Sequence, residues 1–323
     1  PVTVTAGMTV TVNQVVPRGG GITGTVTASG GVPGVYVYAR RVVGGYDTES
    51  SYTGVDGTYY LDGLEGGSYK VQFSPPTPYI GEWYQDAVDQ ESGQAISVTL
   101  GAITPDIDAA LVTGGVITGV ISSAATGAPL PSAYATVYSG TTSWVNNIYA
   151  DMDGVYRTPG LPAGDQYHVR FYEGPWDLYI TEWYSDALSQ NDSLTVTVPV
   201  SGVTPHIDGA LDLGGTISGW TYDGMSGKLL SSVYARVVEA ATGAYVDNDY
   251  SNSYGLYLVD GLPSGQYHVY FSEDGYENQW YDQVPERSLA LTVTVSAPAD
   301  TPNINAYLTY ANTVYLPLVM RNP

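Results

Sequence analysis

Hydrophobic and polar residues alternate with a period of two along most of this chain. In residues 57–73, for example, Tyr69, Val71 and Phe73 alternate with polar side chains. This is the period of a β-strand with one buried face. The same motif occurs three times, beginning at Gly57, Gly154 and Gly255. Its copies are GTYYLDGLEGGSYKVQF, GVYRTPGLPAGDQYHVRF and GLYLVDGLPSGQYHVYF. A glycine-rich break divides each copy, so we expect each to form a β-hairpin.

A second alternating stretch precedes each motif. Val35, Val37 and Ala39 form a small apolar face, and Tyr36 between them points to the opposite side. The equivalent outward tyrosines of the other copies are Tyr134 and Tyr234. Two interpretations stay open for these three residues. Tyrosine fills a pleated surface well, and exposed tyrosine is also a candidate for contact with glycans or with neighbouring subunits.

The landmarks recur at nearly constant distance along the chain. A Gly-Gly pair precedes Ile22, Ile117 and Ile217, at intervals of 95 and 100 residues. Such a period indicates tandem domains. We therefore expect five segments, which are N-terminal orphan strands that act as a donor segment (1–18), three β-sandwich repeats (19–112, 113–212 and 213–310) and a C-terminal apolar tail strand (311–323).

The motif GGxIxG, a short strand of small residues and then GxYxxxGLPxGxYxVxF resembles the carboxypeptidase regulatory-like family. These are transthyretin-like and collagen-adhesin B-type repeats of secreted bacterial surface proteins. The resemblance covers residues 19 to about 310. It implies an all-β chain of three tandem Greek-key β-sandwiches, transthyretin-like or Ig-like, here with extra terminal strands. It implies no chemistry.

Composition narrows the classes of function. The hydrophobic content of 43% supports real cores, and the formal charge of −22 opposes nucleic acid and anionic membranes as partners. The absence of cysteine excludes disulfides and thiol catalysis. No apolar run is long enough to span a bilayer, and the given residues do not open with a charged and then apolar leader. We expect an extracellular or cell-surface protein whose signal peptide is already removed.

Two carboxylate pairs beside tryptophans are the strongest enzymatic candidates. Glu82 with Asp86 and Glu182 with Asp186 have the residue types of a glycosidase. The third copy carries Gln279 instead of glutamate, so the pair is not maintained. We therefore expect no catalytic residue and no enzyme activity.

The remaining aromatic and histidine positions have structural interpretations. We expect the tryptophans that follow these acids to close one end of each sandwich, namely Trp83, Trp183 and Trp280. His168 and His268 occupy outward positions of their strands and are expected to be solvated.

Residues 247–253 are the candidate calcium-binding segment, because most of their side chains carry oxygen atoms. An EF-hand loop needs glycine at its sixth position and glutamate at its twelfth, where this chain has Asn252 and Leu258. We expect no metal and no cofactor.

The functional hypothesis is based on the two terminal segments. Residues 3–16 align with the closing strands of a repeat, and residues 313–320 form an apolar segment outside the repeats. We expect a structural subunit of an extracellular filament or surface appendage that polymerises head to tail by strand exchange. The alternative is a spacer or carbohydrate-binding stalk of a larger secreted adhesin or exoenzyme.

Expected partners are copies of the chain itself, with polysaccharide or attached glycans as further candidates. The candidate interface residues are Val4, Val10, Val12, Val15, Val314, Tyr315, Leu316 and Leu318.

Overall fold

The computed structural model describes residues 18–44, 48–140, 143–173 and 178–311, together with Gly7 and Thr9. Regular structure in these residues consists of 27 strands and two 3-10 turns, Gln190–Asp192 and Arg287–Leu289. The predicted all-β class is confirmed. The first repeat contains β1 Gly20–Thr27, β2 Tyr36–Arg41, β3 Thr48–Tyr52, β4 Thr58–Leu64, β5 Gly67–Ser74, β6 Glu82–Trp83, β7 Ile96–Val98, β8 Ile103–Thr104 and β9 Ala109–Ala110.

The other two repeats carry the same nine strands in the same order. The second contains β10 Gly115–Ser123, β11 Tyr134–Ser139, β12 Ser143–Tyr149, β13 Val155–Arg157, β14 Gly164–Tyr172, β15 Glu182–Trp183, β16 Val196–Val198, β17 Gly202–Thr204 and β18 Gly209–Leu211. The third contains β19 Gly215–Asp223, β20 Tyr234–Glu239, β21 Tyr245–Tyr250, β22 Leu256–Leu262, β23 Gly265–Ser272, β24 Gln279–Trp280, β25 Val293–Val295, β26 Asp300–Thr301 and β27 Ala306–Leu308.

Each repeat builds two sheets. In the first repeat a four-stranded sheet has the order β4–β1–β8, with β9 also on β1. A five-stranded sheet has the order β3–β2–β5–β6, with β7 also on β5. Strand β1 is antiparallel to β4 but parallel to β8 and β9. The second and third repeats have the same two sheets.

The predicted hairpins are wrong. Strands β4 and β5 are separated by only two residues, yet β4 pairs with β1 and β5 pairs with β2, in different sheets. The two strands therefore face each other across the core, and the rings of Tyr59 and Phe73 meet edge to face at 5.9 Å. Alternation correctly identified the buried faces. It could not identify the pairing partner, because period two is the same whichever strand lies alongside.

The chain divides into two compact units. One comprises the described part of Pro1–Ile117 with Thr158–Asp165 and Thr197–Thr204, and its core includes the predicted inward residues Val35, Val37 and Ala39. The other comprises Thr118–Arg157, Gln166–Val196 and the described part of Pro205–Pro323. Its third-repeat core is formed by the equivalent inward positions of β20, β22 and β23. The predicted five-segment division of the chain stays a prediction.

One buried carbonyl organises each repeat. The hydroxyl of Tyr59 donates to the carbonyl of Ile107 at 2.6 Å, which ties β4 to the segment between β8 and β9. The backbone N–H of Ile107 donates to Thr23 of β1 at 3.1 Å. Burial raises the pKa of the Tyr59 hydroxyl well above its usual value, so it remains a donor. The same hydroxyl-to-carbonyl bonds, each 2.6 Å long, are Tyr156 to Ile207 and Tyr257 to Ile304.

A glycine of β1 makes this arrangement possible. A Cβ atom at Gly24 would lie 2.1 Å from the Ile107 carbonyl oxygen, closer than any side chain permits. The equivalent distances are 2.1 Å for Gly119 and 2.2 Å for Gly219. We call this arrangement of glycine, tyrosine and isoleucine carbonyl the carbonyl clasp.

Removing one hydroxyl tests the clasp. Tyr257→Phe leaves the buried Ile304 carbonyl without its donor, so we expect the free energy of unfolding to fall by about 1–3 kcal/mol. Urea denaturation measures this loss. Tyr307→Phe is the matched control, since Tyr307 is 40% exposed. Equal effects of the two substitutions would contradict the role of the clasp.

Candidate functional site

The outer faces of the five-stranded sheets carry aromatic clusters. The three candidate exposed tyrosines, Tyr36, Tyr134 and Tyr234, point away from the core but are half-buried. Each packs on a tyrosine directly across the neighbouring strand, with ring centroids 5.2 Å apart for Tyr36 and Tyr52, 5.3 Å for Tyr134 and Tyr149 and 5.1 Å for Tyr234 and Tyr250. The partner tyrosines are the exposed members, at 67%, 67% and 57%. The sequence does not reveal these partners, because β3, β12 and β21 lack a clear alternating pattern.

The tryptophans do not close an end of each sandwich, which corrects that expectation. Trp83 lies opposite Gln72, a residue that faces away from the core, so its ring covers the outer face of the sheet. There it meets Tyr38 with 5.8 Å between ring centroids. The corresponding contacts are Trp183 with Tyr138 at 5.2 Å and Trp280 with Tyr270 at 5.1 Å.

Arginines lie against aromatic rings in the second and third repeats, and in the third the guanidinium carbon of Arg236 is 5.4 Å from the ring centroid of Tyr245. The guanidinium carbon of Arg170 lies 5.3 Å from the ring centroid of Tyr172 and 6.0 Å from that of Trp183. These are cation–π distances. The Nε atom of Arg170 is buried and has no hydrogen-bond partner among the described residues. The Nε atom of Arg236 in the third repeat is likewise buried without a partner among the described residues.

The glutamates of the two carboxylate pairs turn inward. Glu82 lies opposite Phe73, and Glu182 lies opposite Phe171, which are both core residues. Glu182 is only 6% exposed. Gln279 occupies the same place opposite Phe271 in the third repeat.

Burial changes the acidity of both glutamates. Desolvation raises the pKa of Glu82 to about 7, and the charge of Asp86 adds to the increase. Desolvation also raises the pKa of Glu182 to about 7, where a backbone hydrogen bond from Asp212 opposes it and the charges of Asp212 and Asp186 add to it. A general acid needs such a pKa, but it must also reach a substrate. A side chain as buried as Glu182 fits a structural role better.

The histidines lie apart from these acids. His168 is within 2.7 Å of the Ser193 hydroxyl, and His268 is 3.3 Å from the Thr292 hydroxyl. Both lie on outer sheet faces as predicted, but they are half-buried and not fully solvated. His206 has a φ of 61°, the left-handed conformation that Asp106 and Asn303 also adopt at this point of their repeats. Its position therefore follows from the turn that precedes the clasp.

The candidate calcium segment is mostly strand. Asp247 accepts a hydrogen bond from the N–H of Asn248 at 2.8 Å, and Asp249 accepts one from Leu258 at 2.9 Å. Both carboxylates thus accept hydrogen bonds from backbone N–H groups, which accounts for them without a metal. Within the described ranges, no group of three or more His, Asp or Glu side chains could hold a metal ion. Nor does any helix there have the length and apolar character needed to cross a membrane.

The junction after each repeat is built in the same way. The N–H of Ile80 donates to Val112 at 3.0 Å, and the N–H of Gly114 donates to Pro78 at 2.8 Å, which fixes the chain leaving the first repeat. After the second repeat, the bonds are Ile180 to Asp212 at 2.8 Å and Gly214 to Leu178 at 2.9 Å. After the third, they are Glu277 to Thr309 at 2.8 Å and Ala311 to Gly275 at 2.9 Å. The candidate interface residues at the two termini, Val4, Val10, Val12, Val15, Val314, Tyr315, Leu316 and Leu318, lie outside the described residues.

No protein-family model matches this sequence, and no curated protein matches it. Similar solved structures include the Bacillus anthracis TIE protein, a streptococcal ancillary pilin and BcpA, the major pilin subunit of Bacillus cereus. Their identities to this chain are 17%, 12% and 11%, with TM-scores of 0.27, 0.30 and 0.25. The alignments cover 91%, 90% and 91% of this chain, and 51%, 99% and 100% of the others. This chain thus spans about half the length of the TIE protein. Similarities at this level carry no argument about function.

The buried glutamate predicts a pH-dependent stability. The pKa of Glu182 is higher in the folded chain, so its ionisation costs stability as the pH rises from about 4.5 to 7. Glu182→Gln removes this cost. We expect the variant to be more stable than the parent by about 1–3 kcal/mol at pH 8, and nearly equal to it at pH 4.5. Chemical denaturation at both pH values measures the difference.

The third repeat provides the reciprocal control for this experiment. Gln279→Glu should lower stability at pH 8 more than at pH 4.5, because it places a carboxyl opposite Phe271. A Glu182→Gln stability difference that is the same at both pH values would contradict the burial argument.

Proposed function

We propose that this chain is a structural subunit of an extracellular filament or cell-surface appendage, and that it polymerises head to tail by exchange of its terminal strands. Its repeats are of the carboxypeptidase regulatory-like, transthyretin-like type. Catalysis has no part in this function.

The observation that carries the proposal is the third junction. Thr309 and Ala311 are held by Glu277 and Gly275 through the same bonds that hold the chain where the second and third repeats begin. The chain leaving the third repeat is therefore directed as if another domain were to follow. A neighbouring copy is a suitable follower, since it contains repeats of the same kind.

The sequence of the terminal segments supports strand exchange as the connection. Val10 and Val12 alternate with Thr9 and Thr11, as in a strand that fills a core on one side. An added strand supplies backbone hydrogen bonds to an open sheet edge and places alternate side chains in its pockets. Contacts of this kind join unlike surfaces, so they produce an open filament unless a ring closes.

The alternative function is a spacer or carbohydrate-binding stalk of a larger secreted adhesin or exoenzyme. The repeated junctions serve a stalk as well as a filament, because both need domains in series. The two functions differ in self-assembly. A stalk remains monomeric in isolation, whereas a filament subunit associates with itself.

The experiment is an assembly assay with matched strand-face variants. If Val10 and Val12 enter a neighbour's core, the double substitution V10D/V12D should abolish assembly, because it would bury two unpaired charges. The double substitution T9D/T11D changes the opposite face of the same segment and should leave assembly intact. Sedimentation velocity and negative-stain electron microscopy measure both outcomes.

Removal of the N-terminal segment tests whether it is the connector between copies. A chain that lacks residues 1–17 should remain folded, as judged by its circular dichroism, but should not form filaments. If it assembles like the full chain, this segment is not the connector. A full-length chain that stays monomeric at all concentrations would instead favour the stalk.

A further inference from the structure

A cleft of about 1050 Å³ opens within the second compact unit. One wall is the aromatic outer face of the five-stranded sheet of the second repeat. The other consists of the turn between β20 and β21 and the loop between β22 and β23 in the third repeat. Its volume is at the upper end of the range for ligand pockets, with room for several sugar rings.

The cleft lies at a point where the second and third repeats differ. In the second repeat β13 ends at Arg157, Pro159 has no N–H to donate, and Leu161 pairs again with Gly115 of β10. Between Pro159 and Leu161, the N–H of Gly160 donates to Tyr79 of the first repeat at 3.1 Å. The third repeat has Asp260 in place of this proline, and β22 continues on β19 as far as Leu262.

The junction between the second and third repeats is open. Ile180 and Gly261 are the counterparts of Ile80 and Gly160, which form a β-bridge at the preceding junction. Both Ile180 and Gly261 line the cleft instead. The space between them is a consequence of the local backbone path, and it is accessible to a ligand.

The first wall combines flat apolar surfaces with a hydrogen-bond donor. Tyr134, Tyr172 and Trp183 contribute their rings, and the Arg170 guanidinium lies against two of them. The apolar C–H face of a pyranose packs well on such rings. Arg170 also lines the cleft, and its guanidinium is a donor that a sugar hydroxyl can accept from.

The opposite wall determines the charge of the ligand. Glu239 and Asp247 line it, so the cleft carries two acids against the single cation Arg170. With a formal charge of −22 on the whole chain, a polyanion is repelled. A purely apolar ligand would displace water from these carboxylates and from Arg170, which is unfavourable. Hydroxyl groups are suited to both walls, since they donate to carboxylates and accept from guanidinium.

We propose that this cleft binds a neutral oligosaccharide, stacked on the aromatic wall of the second repeat. The proposal goes beyond assembly of the chain and does not depend on it. It also differs from one glycan contact per repeat at Tyr36, Tyr134 and Tyr234, because it assigns a single site that only Tyr134 of these three lines.

Binding is tested with the full chain and a defined panel of saccharides. The neutral probes are cellohexaose, xylohexaose, mannohexaose and maltohexaose, and oligogalacturonate is the anionic comparator. Isothermal titration calorimetry measures affinity, and quenching of tryptophan fluorescence reports contact with Trp183. We expect at least one neutral hexaose to bind and oligogalacturonate not to bind.

Two variants locate the site, each with a matched control. Ala241 is an exposed residue of the cleft, so Ala241→Trp should fill the space and weaken binding at least tenfold without disturbing the core. Val43→Trp adds the same ring at an exposed position of the first repeat and should have no effect. Arg170→Met should also weaken binding at least tenfold, whereas Arg40→Met in the first repeat should not.

The results separate this proposal from filament assembly. Loss of sugar binding in Ala241→Trp with normal filaments supports a separate binding site. The absence of binding by every neutral hexaose at 10 mM overturns the proposal, as does binding that Ala241→Trp leaves unchanged. Binding of oligogalacturonate alone would overturn the assigned ligand class. If Arg170→Met fails to fold, Ala241→Trp and its control decide the question.

Discussion

Each repeat depends on the carbonyl clasp. A single buried oxygen, that of Ile107 in the first repeat, receives the Tyr59 hydroxyl and lies against the bare α-carbon of Gly24. The bond joins β4 to the closing segment, and the glycine allows that segment to approach β1. Since the oxygen is buried, losing either the donor or the space costs more than an exposed hydrogen bond contributes. Three separate sequence landmarks, the glycine of GGxIxG, the tyrosine of GxY and the left-handed residue before the isoleucine, are thus parts of one arrangement.

The sequence predicted the parts of the fold that depend on one strand at a time. The inward positions of β2 and its counterparts are fully buried as expected, because alternation directly reports which side of a strand meets the core. Pairing was not predictable in the same way. The two-residue connection between β4 and β5 indicated a hairpin, but the large residues on both strands face each other across two sheets. The bulge between Gly20 and Ile22 and the clasp hold β4 on β1, and both depend on contacts distant in sequence.

The candidate sites, like the fold, were only partly predictable from the sequence. Tyr36, Tyr134 and Tyr234 do point outward, but their cross-strand tyrosine partners cover them, and the alternating pattern could not reveal the partners. The tryptophans were misplaced because a two-residue strand gives no periodicity, and only its register with Gln72 assigns Trp83 to the outer face. That same register directs Glu82 and Glu182 inward. Their raised pKa values follow from the fold of the sheet edge, and Gln279 shows that a neutral amide satisfies the same position.

The junctions connect the fold to function, because they show how one backbone plan yields two different surfaces. All three fix the chain that leaves a repeat by the same pair of hydrogen bonds. The junctions differ beyond those bonds, because Gly160 donates to Tyr79 whereas its counterpart Gly261 lines the cleft. A closed junction adds backbone hydrogen bonds, whereas an open one leaves an aromatic face accessible. Repeats with one backbone plan can therefore differ in the surface that they leave open at a junction.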